Sequence, residues 1–600
     1  MQLSDFDTAG SLVSLFFQRA DALGDAPMLW AKQEGEWQPI SWRDAARQVA
    51  LIAESLRRTG LSAGDRVMLV SENRPEWCLA DLGIMAAGCI TVPAYTTNTE
   101  RDHLHILENS GARAVIVSTA KLAEPLVPAV SQTDTCEYLF SIETIRHAQE
   151  GNFAFHAWDA LLEGGTAQAR AVVDDRIARI RRDDLACIIY TSGTGGAPRG
   201  VRQHHGAILC NVAACAHVIA EDFSWEQEVF LSFLPLSHAY EHTGGQFLPI
   251  GLGGEIYYAE GLDKLARNIE EVRPTFMVVV PRLFEVLRTR IMQQTSKQGR
   301  VANKLMNLAL AIGGRKAGSG RRLTDYPLDL LVGRTLRPKI RQRFGGRLKA
   351  MVSGGAPLNP EIGNFFSSMG LVLLQGYGQT EAGPVVSCNR PAAGVRMETV
   401  GPPLRGAEVR IGEDGEILVR GELVTHGYWA NEAATARTIK DGWLHTGDIG
   451  HFDEDGRIVI TDRKKDMIVN DKGDNVSPQK VESMLTLQPE ISQAMVVGDK
   501  RPYIVGLVVP DAEWAVDWAQ ANDEKFDLAT LQDLPAFRNA VREALDRVNA
   551  KLSVVEKVRQ FTFADEAFAI ENEEMTPSLK IRRHKLKERY GERLDGLYKG

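Results

Sequence analysis

The chain has 600 residues, 44% of them hydrophobic and 24% charged, with a net charge of −9. That length is too great for one core and predicts about two to four domains of ordinary globular composition. The acidic balance leaves no electrostatic footprint for nucleic acid, and no apolar run approaches the ~20 residues that span a bilayer.

The first residues, MQLSDFDTAGSLVSLFFQRADALGD, carry acids early and lack a basic leader, so a secretory signal is not expected and a cytoplasmic location is. From about 65 to 280, short apolar runs alternate with helical stretches. RVMLVSEN (66–73), CITVPAY (89–95), ARAVIVST (112–119), LACIIYTS (185–192), VFLSFLPL (229–236), EIYYAE (255–260) and TFMVVVP (275–281) have the length and β-branched content of buried strands. PEWCLADLGIMAAG (75–88) and ERDHLHILENSG (100–111) read as helices between them. Strands alternating with helices predict layered α/β sheets, largely parallel.

Residues 282–343 differ. They are helical in pattern and basic, with Arg288, Arg290, Arg300, Arg315, Arg334 and Arg341 among many. Two readings stand: a solvated helical face, or a surface for anionic lipid or for the phosphates of a ligand. A strand and glycine turn follow in GRLKAMVSGGAPL (346–358). Short strands with turns over about 395–462 predict a small β subdomain. A smaller α+β unit is expected from 463 to 600. It has a hairpin in RIVITDRKKDMIV (457–469), a helix in SPQKVESMLTLQ (477–488), strands at 492–499 and 503–511, a helix at 537–552 and a basic tail. The seven cysteines, at 78, 89, 136, 187, 210, 215 and 388, form no CxxC pair or zinc spacing, which predicts reduced thiols used as small apolar residues.

The segment IIYTSGTGGAPRGV (188–201) carries the strongest chemical signal. A strand runs into a loop with the hydroxyls of Thr191, Ser192 and Thr194, the glycines Gly193, Gly195 and Gly196, and the cation Arg199. Glycines turn backbone N–H groups toward an anion, and hydroxyls and a guanidinium add donors, which together suit a polyphosphate. No GK[ST] follows, so it is not a Walker A loop. On its own the segment is also compatible with a glycine-rich surface turn.

This segment resembles the phosphate loop of the adenylate-forming superfamily, which holds acyl-CoA synthetases, peptide-synthetase adenylation domains and luciferases. Gly195 stands where a second Thr is usual and Arg199 where Lys is usual. Further segments resemble the family in order: SGGAPL (353–358), LQGYGQTEAGP (374–384), GWLHTGDIG (442–450), TDRKKDMIVNDKG (461–473) and EEMTPSLKIRR (573–583).

The resemblance implies roles residue by residue. Gly354, Gly355 and Ala356 would border the adenine and Tyr377 would stack on it, beside Gly378, while Gly376 would belong to the acyl pocket. Thr380 would touch the α-phosphate. Glu381, with Thr194, would hold Mg²⁺. Asp448 and Arg463 would hold the ribose, Lys465 would mark a hinge, and Gly473 would let the CoA arm pass. Lys580 would be the catalytic lysine of adenylation. LPLSHAYEHTGG (234–245) resembles the acyl-pocket segment, with His238 and Tyr240 as candidates. The implied activity is ATP-dependent ligation of a medium-to-long-chain fatty acid to CoA through an acyl adenylate. Another acid, a carrier-protein acceptor or a non-catalytic nucleotide sensor are the alternatives. The resemblance is silent on oligomeric state, and peripheral membrane contact stays open.

Overall fold

The computed structural model describes the chain except residues 1, 146–151, 192–196, 298, 318, 319, 321, 570, 577–580 and 600, and the side chains of 166, 296, 316 and 317. Two large sheets carry the bulk of it. The seven-stranded sheet runs Ala154–Ala157, Tyr138–Ser141, Ala114–Val117, Arg66–Val70, Ile90–Ala94, Leu185–Thr191, Arg199–His204. It is parallel except for the last pair, an antiparallel hairpin in which Thr191 faces Arg199. The eight-stranded sheet runs Val385–Cys388, Leu373–Gly378, Ala350–Ser353, Phe276–Val279, Val229–Ser232, Glu255–Tyr258, Pro27–Gln33, Glu36–Ser41. Its interior is parallel and both edge pairs are antiparallel.

Helices fill the space between the sheets. Pro75–Ala86 is buried at every residue but Glu76. A helix apolar all round belongs in a core, and this one is capped by proline at its start, where a missing N–H costs nothing. His205–Phe223 is long and apolar enough to cross a membrane, yet its residues pack into the same core. All seven cysteines are free thiols.

A second apolar cluster lies beneath the basic helices of residues 281–343, where Phe284, Phe365 and Phe366 meet edge to face with centroids 5.2 Å apart. The β subdomain is a five-stranded antiparallel sheet from Glu408 to Arg463. The remainder forms a three-stranded sheet, Ile491–Val497, Ile504–Pro510 and Val558–Phe563, with helices around it. This is the layered α/β architecture with a smaller α+β unit that the strand–helix alternation predicts.

Two local expectations are corrected. RIVITDRKKDMIV is not a hairpin: Ile458–Arg463 pairs back with Trp443–Phe452, while Ile468–Val469 pairs forward with Asn475–Val476. The turn Asp453–Gly456 folds the first strand onto its upstream neighbour, so the RKKD stretch is a connection between two sheets. The basic tail contains a helix, Arg583–Gly596, which buries Leu586, Tyr590 and Leu594.

Phe366 is fully buried among the aromatic rings named above. Phe366→Ala should lower the unfolding free energy by about 3–5 kcal/mol through lost transfer energy and a cavity. Urea denaturation reads this, and a loss under about 1 kcal/mol would contradict the packing described.

Candidate functional site

Parallel strands place their connecting loops on one edge, and the carboxyl ends of strands are where α/β folds build sites. Here that edge gathers Thr191, Ser353–Ala356 and Gly376–Glu381 from the large sheets. The β subdomain then brings Asp448 and Arg463 to the same edge.

Two phenol–carboxylate contacts join these pieces. Tyr377, buried at the end of Leu373–Gly378, donates its hydroxyl to Asp448 Oδ2 at 2.7 Å. Burial, then the Asp448 charge, push the phenol well above its ordinary pKa, so it stays a neutral donor. Arg463 Nε lies 3.5 Å from Asp448 Oδ1, its register partner in the antiparallel ladder. On the other side Tyr428 donates to Glu381 Oε1 at 2.7 Å, and the Arg199 guanidinium sits 5.7 Å from the centroid of the Tyr428 ring. Tyr428 itself is held by extended pairing with Val201, and the Trp429 N–H donates to Gly200 O at 2.7 Å. Arg199, Tyr428 and Glu381 therefore form one continuous chain of contacts.

The residues flanking 192–196 are held on both sides. Tyr190 donates to Asn109 Oδ1 at 2.7 Å, and His105 Nε2 contacts Pro198 O at 2.9 Å. Ser192, Gly193, Thr194, Gly195 and Gly196 lie outside the described residues, as does Lys580. Thr380 is buried in a short 3₁₀ turn, and its carbonyl accepts from Gln203 at 2.8 Å.

The glycines have distinct reasons. A Cβ on Gly354 would come within 2.7 Å of the Tyr240 ring, and one on Gly378 within 1.9 Å of Pro384 O. Gly355 and Gly473 take φ of +80° and +86°, where a side chain is strained. Gly376 pairs with Cys388 across the sheet, and its Cβ would meet only ordinary contacts. Gly473 and Ala356 are exposed.

Tyr240 donates to Val352 O at 2.9 Å and so is tied to the strand that ends in the 353–356 turn. His238 Nδ1 accepts from the Tyr240 N–H at 3.2 Å, a capping contact. His204 and His205, which the sequence leaves without a role, are structural: His204 caps the helix His205–Phe223, and His205 Nδ1 accepts from the Leu12 N–H. Lys465 is exposed, but partial desolvation and then Arg463 pull its ammonium below the ordinary value, while Asp466, Asp448 and Glu381 act the other way. The hinge candidate thus lies within electrostatic range of the two acids of the site.

Sequence reasoning missed Tyr428 and Glu241. Tyr428 could have been flagged as an aromatic in a glycine turn (HGYWAN), but only folding brings it to Glu381. Glu241 is fully buried in the segment 234–245, where it accepts from Ser232 Oγ at 2.6 Å. Nothing in its neighbours along the chain signals that burial.

Comparisons with known proteins show the family. The family model described as AMP-binding enzyme matches residues 16–429, and that described as AMP-binding enzyme C-terminal domain matches 465–600. A long-chain-fatty-acid–CoA ligase of Mycobacterium tuberculosis is 33% identical over 582 residues, 94% of this chain and 93% of that protein. The peroxisomal long chain acyl-CoA synthetase 7 of Arabidopsis thaliana is 29% identical over 94% of this chain and 82% of its own. Among solved structures, the adenylation domain of a carboxylate reductase from Mycobacterium chelonae superposes with a TM-score of 0.74 at 22% identity, covering 100% of this chain and 93% of that one. That last likeness speaks to the fold.

Burial pushes the Glu241 carboxyl from its ordinary 4.5 up to about 8, with Ser232 opposing. An acid kept neutral in the fold while the unfolded chain ionises stabilises the fold fully below about pH 4.5 and progressively less up to about pH 8. Glu241→Gln removes that titration. The variant should gain on the wild type by an amount on the order of a few kcal/mol between pH 5 and 8.5, read by urea denaturation. Parallel stability curves for the two proteins would show that Glu241 is not held neutral.

Proposed function

The chain belongs to the AMP-binding enzyme family, and from that premise we propose that it is an ATP-dependent fatty acid–CoA ligase. The observation that carries the reading is the meeting of the Arg199–Tyr428–Glu381 chain and the Tyr377–Asp448–Arg463 cluster at one sheet edge. One cluster suits a metal-bound polyphosphate and the other a nucleoside. The fatty acid is inferred from the relatives named above, which align along nearly all of this chain.

The reaction has two halves. A carboxylate oxygen attacks the α-phosphorus of ATP, and pyrophosphate leaves with the bonding pair. The CoA thiol then adds to the acyl carbonyl, loses its proton, and expels AMP. The first half brings an anion to a polyanion, where like charges ~4 Å apart repel by roughly 4 kcal/mol at an effective dielectric of 20.

Neutralising that repulsion falls to Arg199, the backbone and hydroxyl donors of 191–196, and Lys580. Lysine suits developing charge on phosphate oxygens as a mobile point charge. Glu381 fits a hard divalent cation: Tyr428 occupies one of its oxygens and leaves the other for a ligand bond. Mg²⁺ bound there would draw charge from the phosphate oxygens. Asp448 and Arg463 would orient the ribose hydroxyls, and Gly354, Gly355, Ala356, Tyr377 and Gly378 the base. Thr380 would donate to the α-phosphate. His238, Tyr240 and Gly376 would line the way to the acyl carboxylate.

The second half needs CoA to reach the carbonyl that pyrophosphate has just left. We place the boundary of a mobile unit at 462/463, with Lys465 as hinge and the turn at Gly473 passing the pantetheine arm. Around that boundary Arg463 and Lys464 stay tied to the β subdomain through Asp448, Asp414 and Glu416. Beyond them, the side-chain contacts between the two units include that of Arg282, which donates to Ser492 O at 3.4 Å. Gln293 donates to Glu513 at 3.0 Å, Asn359 to Ser483 O at 3.4 Å, and Lys551 pairs with Glu361 at 3.4 Å.

Lys580→Ala should lower ATP–pyrophosphate exchange by about 100-fold or more, yet still convert supplied acyl-AMP to acyl-CoA. A panel of acids from acetate to palmitate identifies the substrate. Exchange without CoA-dependent product would move the acceptor to another thiol, and no exchange with any acid would refute catalysis. Tyr428→Phe frees Glu381 from its positioning contact. It should raise the Mg²⁺ concentration for half-maximal exchange by about 3- to 10-fold with the fatty acid KM unchanged.

A further inference from the structure

The helix Asp325–Thr335 is turned inside out. Its acids face the protein. Asp325 is buried and takes both Nη2 and Nε of Arg315, at 2.5 and 3.0 Å, while Asp329 accepts from Arg337 at 2.6 Å. Val332 is buried on the same side. The apolar residues face outward: Leu323 is 89% exposed, Tyr326 57%, Leu330 55% and Leu331 48%. At about 3.6 residues per turn Tyr326, Leu330 and Leu331 fall on one face, opposite Asp325 and Val332, with Leu323 in the turn just ahead of the helix. A helix on the surface of a water-soluble domain presents the reverse arrangement. Contiguous exposed leucines of this kind mark an interaction surface.

Charge identifies the partner. Between residues 282 and 343 there are fifteen Lys and Arg against three acids, a net +12 within a chain whose total is −9. All three acids are spent internally, in Arg282–Glu285, Arg315–Asp325 and Arg337–Asp329. The next helix, Arg337–Arg343, exposes Lys339, Arg341 and Arg343. Lys339 and Arg343, with Arg273 and one acid, Glu270, line a concavity of about 560 Å³. None of these three cations has a carboxylate partner among the described residues. A second copy of this chain seated on the stripe would bring two +12 segments together. A surface that is apolar and anionic at once suits both features.

We propose that the helix Asp325–Thr335 docks the protein on an anionic phospholipid bilayer. Leu323, Tyr326, Leu330 and Leu331 enter the boundary between headgroups and acyl chains, and the neighbouring arginines and lysines bind anionic headgroups. The docking is independent of the proposed reaction, although an enzyme acting on apolar acids gains by working where they partition.

The test uses the full chain and its double variant Leu330→Glu/Leu331→Glu, both exposed positions remote from the site. They are sedimented with vesicles of phosphatidylcholine, with and without phosphatidylglycerol. The wild type should pellet with the anionic vesicles, and less so as salt rises from about 0.05 to 0.5 M. The double variant should lose at least about tenfold in partition with an unchanged melting temperature. The proposal is overturned if the wild type stays in the supernatant with anionic vesicles, or if the double variant binds as well as the wild type. It is also overturned if sedimentation velocity finds a wild-type dimer that the variant splits, which would assign the face to a second copy.

Discussion

Two buried or half-buried phenols, each donating a hydrogen bond to a carboxylate, set the geometry on which the site depends. Tyr377 to Asp448 and Tyr428 to Glu381 span 71 and 47 residues of chain, and each is 2.7 Å long. Burial raises both phenols above their ordinary pKa, as do the neighbouring acids, so neither adds charge. A neutral donor orients a carboxylate without cancelling its charge. Each carboxylate thereby has its rotamer fixed, with Asp448 turning its other oxygen toward Arg463. A lysine in place of either tyrosine would neutralise the acid outright.

The same two contacts tie the architecture together. Tyr377 sits on a strand of the eight-stranded sheet and Asp448 on the β subdomain. Glu381 follows the former strand, and Tyr428 lies against the end of the hairpin that frames the glycine loop. Three structural units therefore meet through these side chains. Precision in such a site comes from rigid elements whose own side chains are locked, and the tight approach of Gly354 to Tyr240 and of Gly378 to Pro384 O serves the same end.

Much of this was legible in the chain. Apolar β-branched runs bounded by turns, as in ARAVIVST and TFMVVVP, mark parallel strands because such strands are covered on both faces. What was not legible is non-local. Ile458–Arg463 looks like the first arm of a hairpin with Ile468–Val469, but register is chosen by the partner face, and the face of Trp443–Phe452 won. Asp448 and Arg463 were read separately, and their pairing as ladder partners is a product of that choice. Tyr428 and Glu241 carry no local mark because their meaning is a contact or a burial. The helix 325–335 is a sharper case. Its composition suits a solvated face, yet its acids pair inward with Arg315 and Arg337 and its leucines face outward.

Lys465 links the rigid edge to the unit proposed to move. Its ammonium stands between Arg463, which repels it, and Asp448 and Glu381, which attract it. A polyphosphate in the site adds negative charge to the attracting side, and departure of pyrophosphate removes most of it. The electrostatic balance at the proposed hinge therefore differs between the two halves of the reaction, without any residue changing its protonation. A differential interaction of this kind is what a ligand needs in order to bias two arrangements of one chain. Exposed bridging pairs such as Gln293–Glu513 and Lys551–Glu361 oppose such a bias only weakly, while Arg463 and Lys464 stay anchored on the β subdomain. A site whose acids are held rigidly, next to a hinge whose charge environment follows the reaction, needs no further device to couple pyrophosphate release to the approach of CoA.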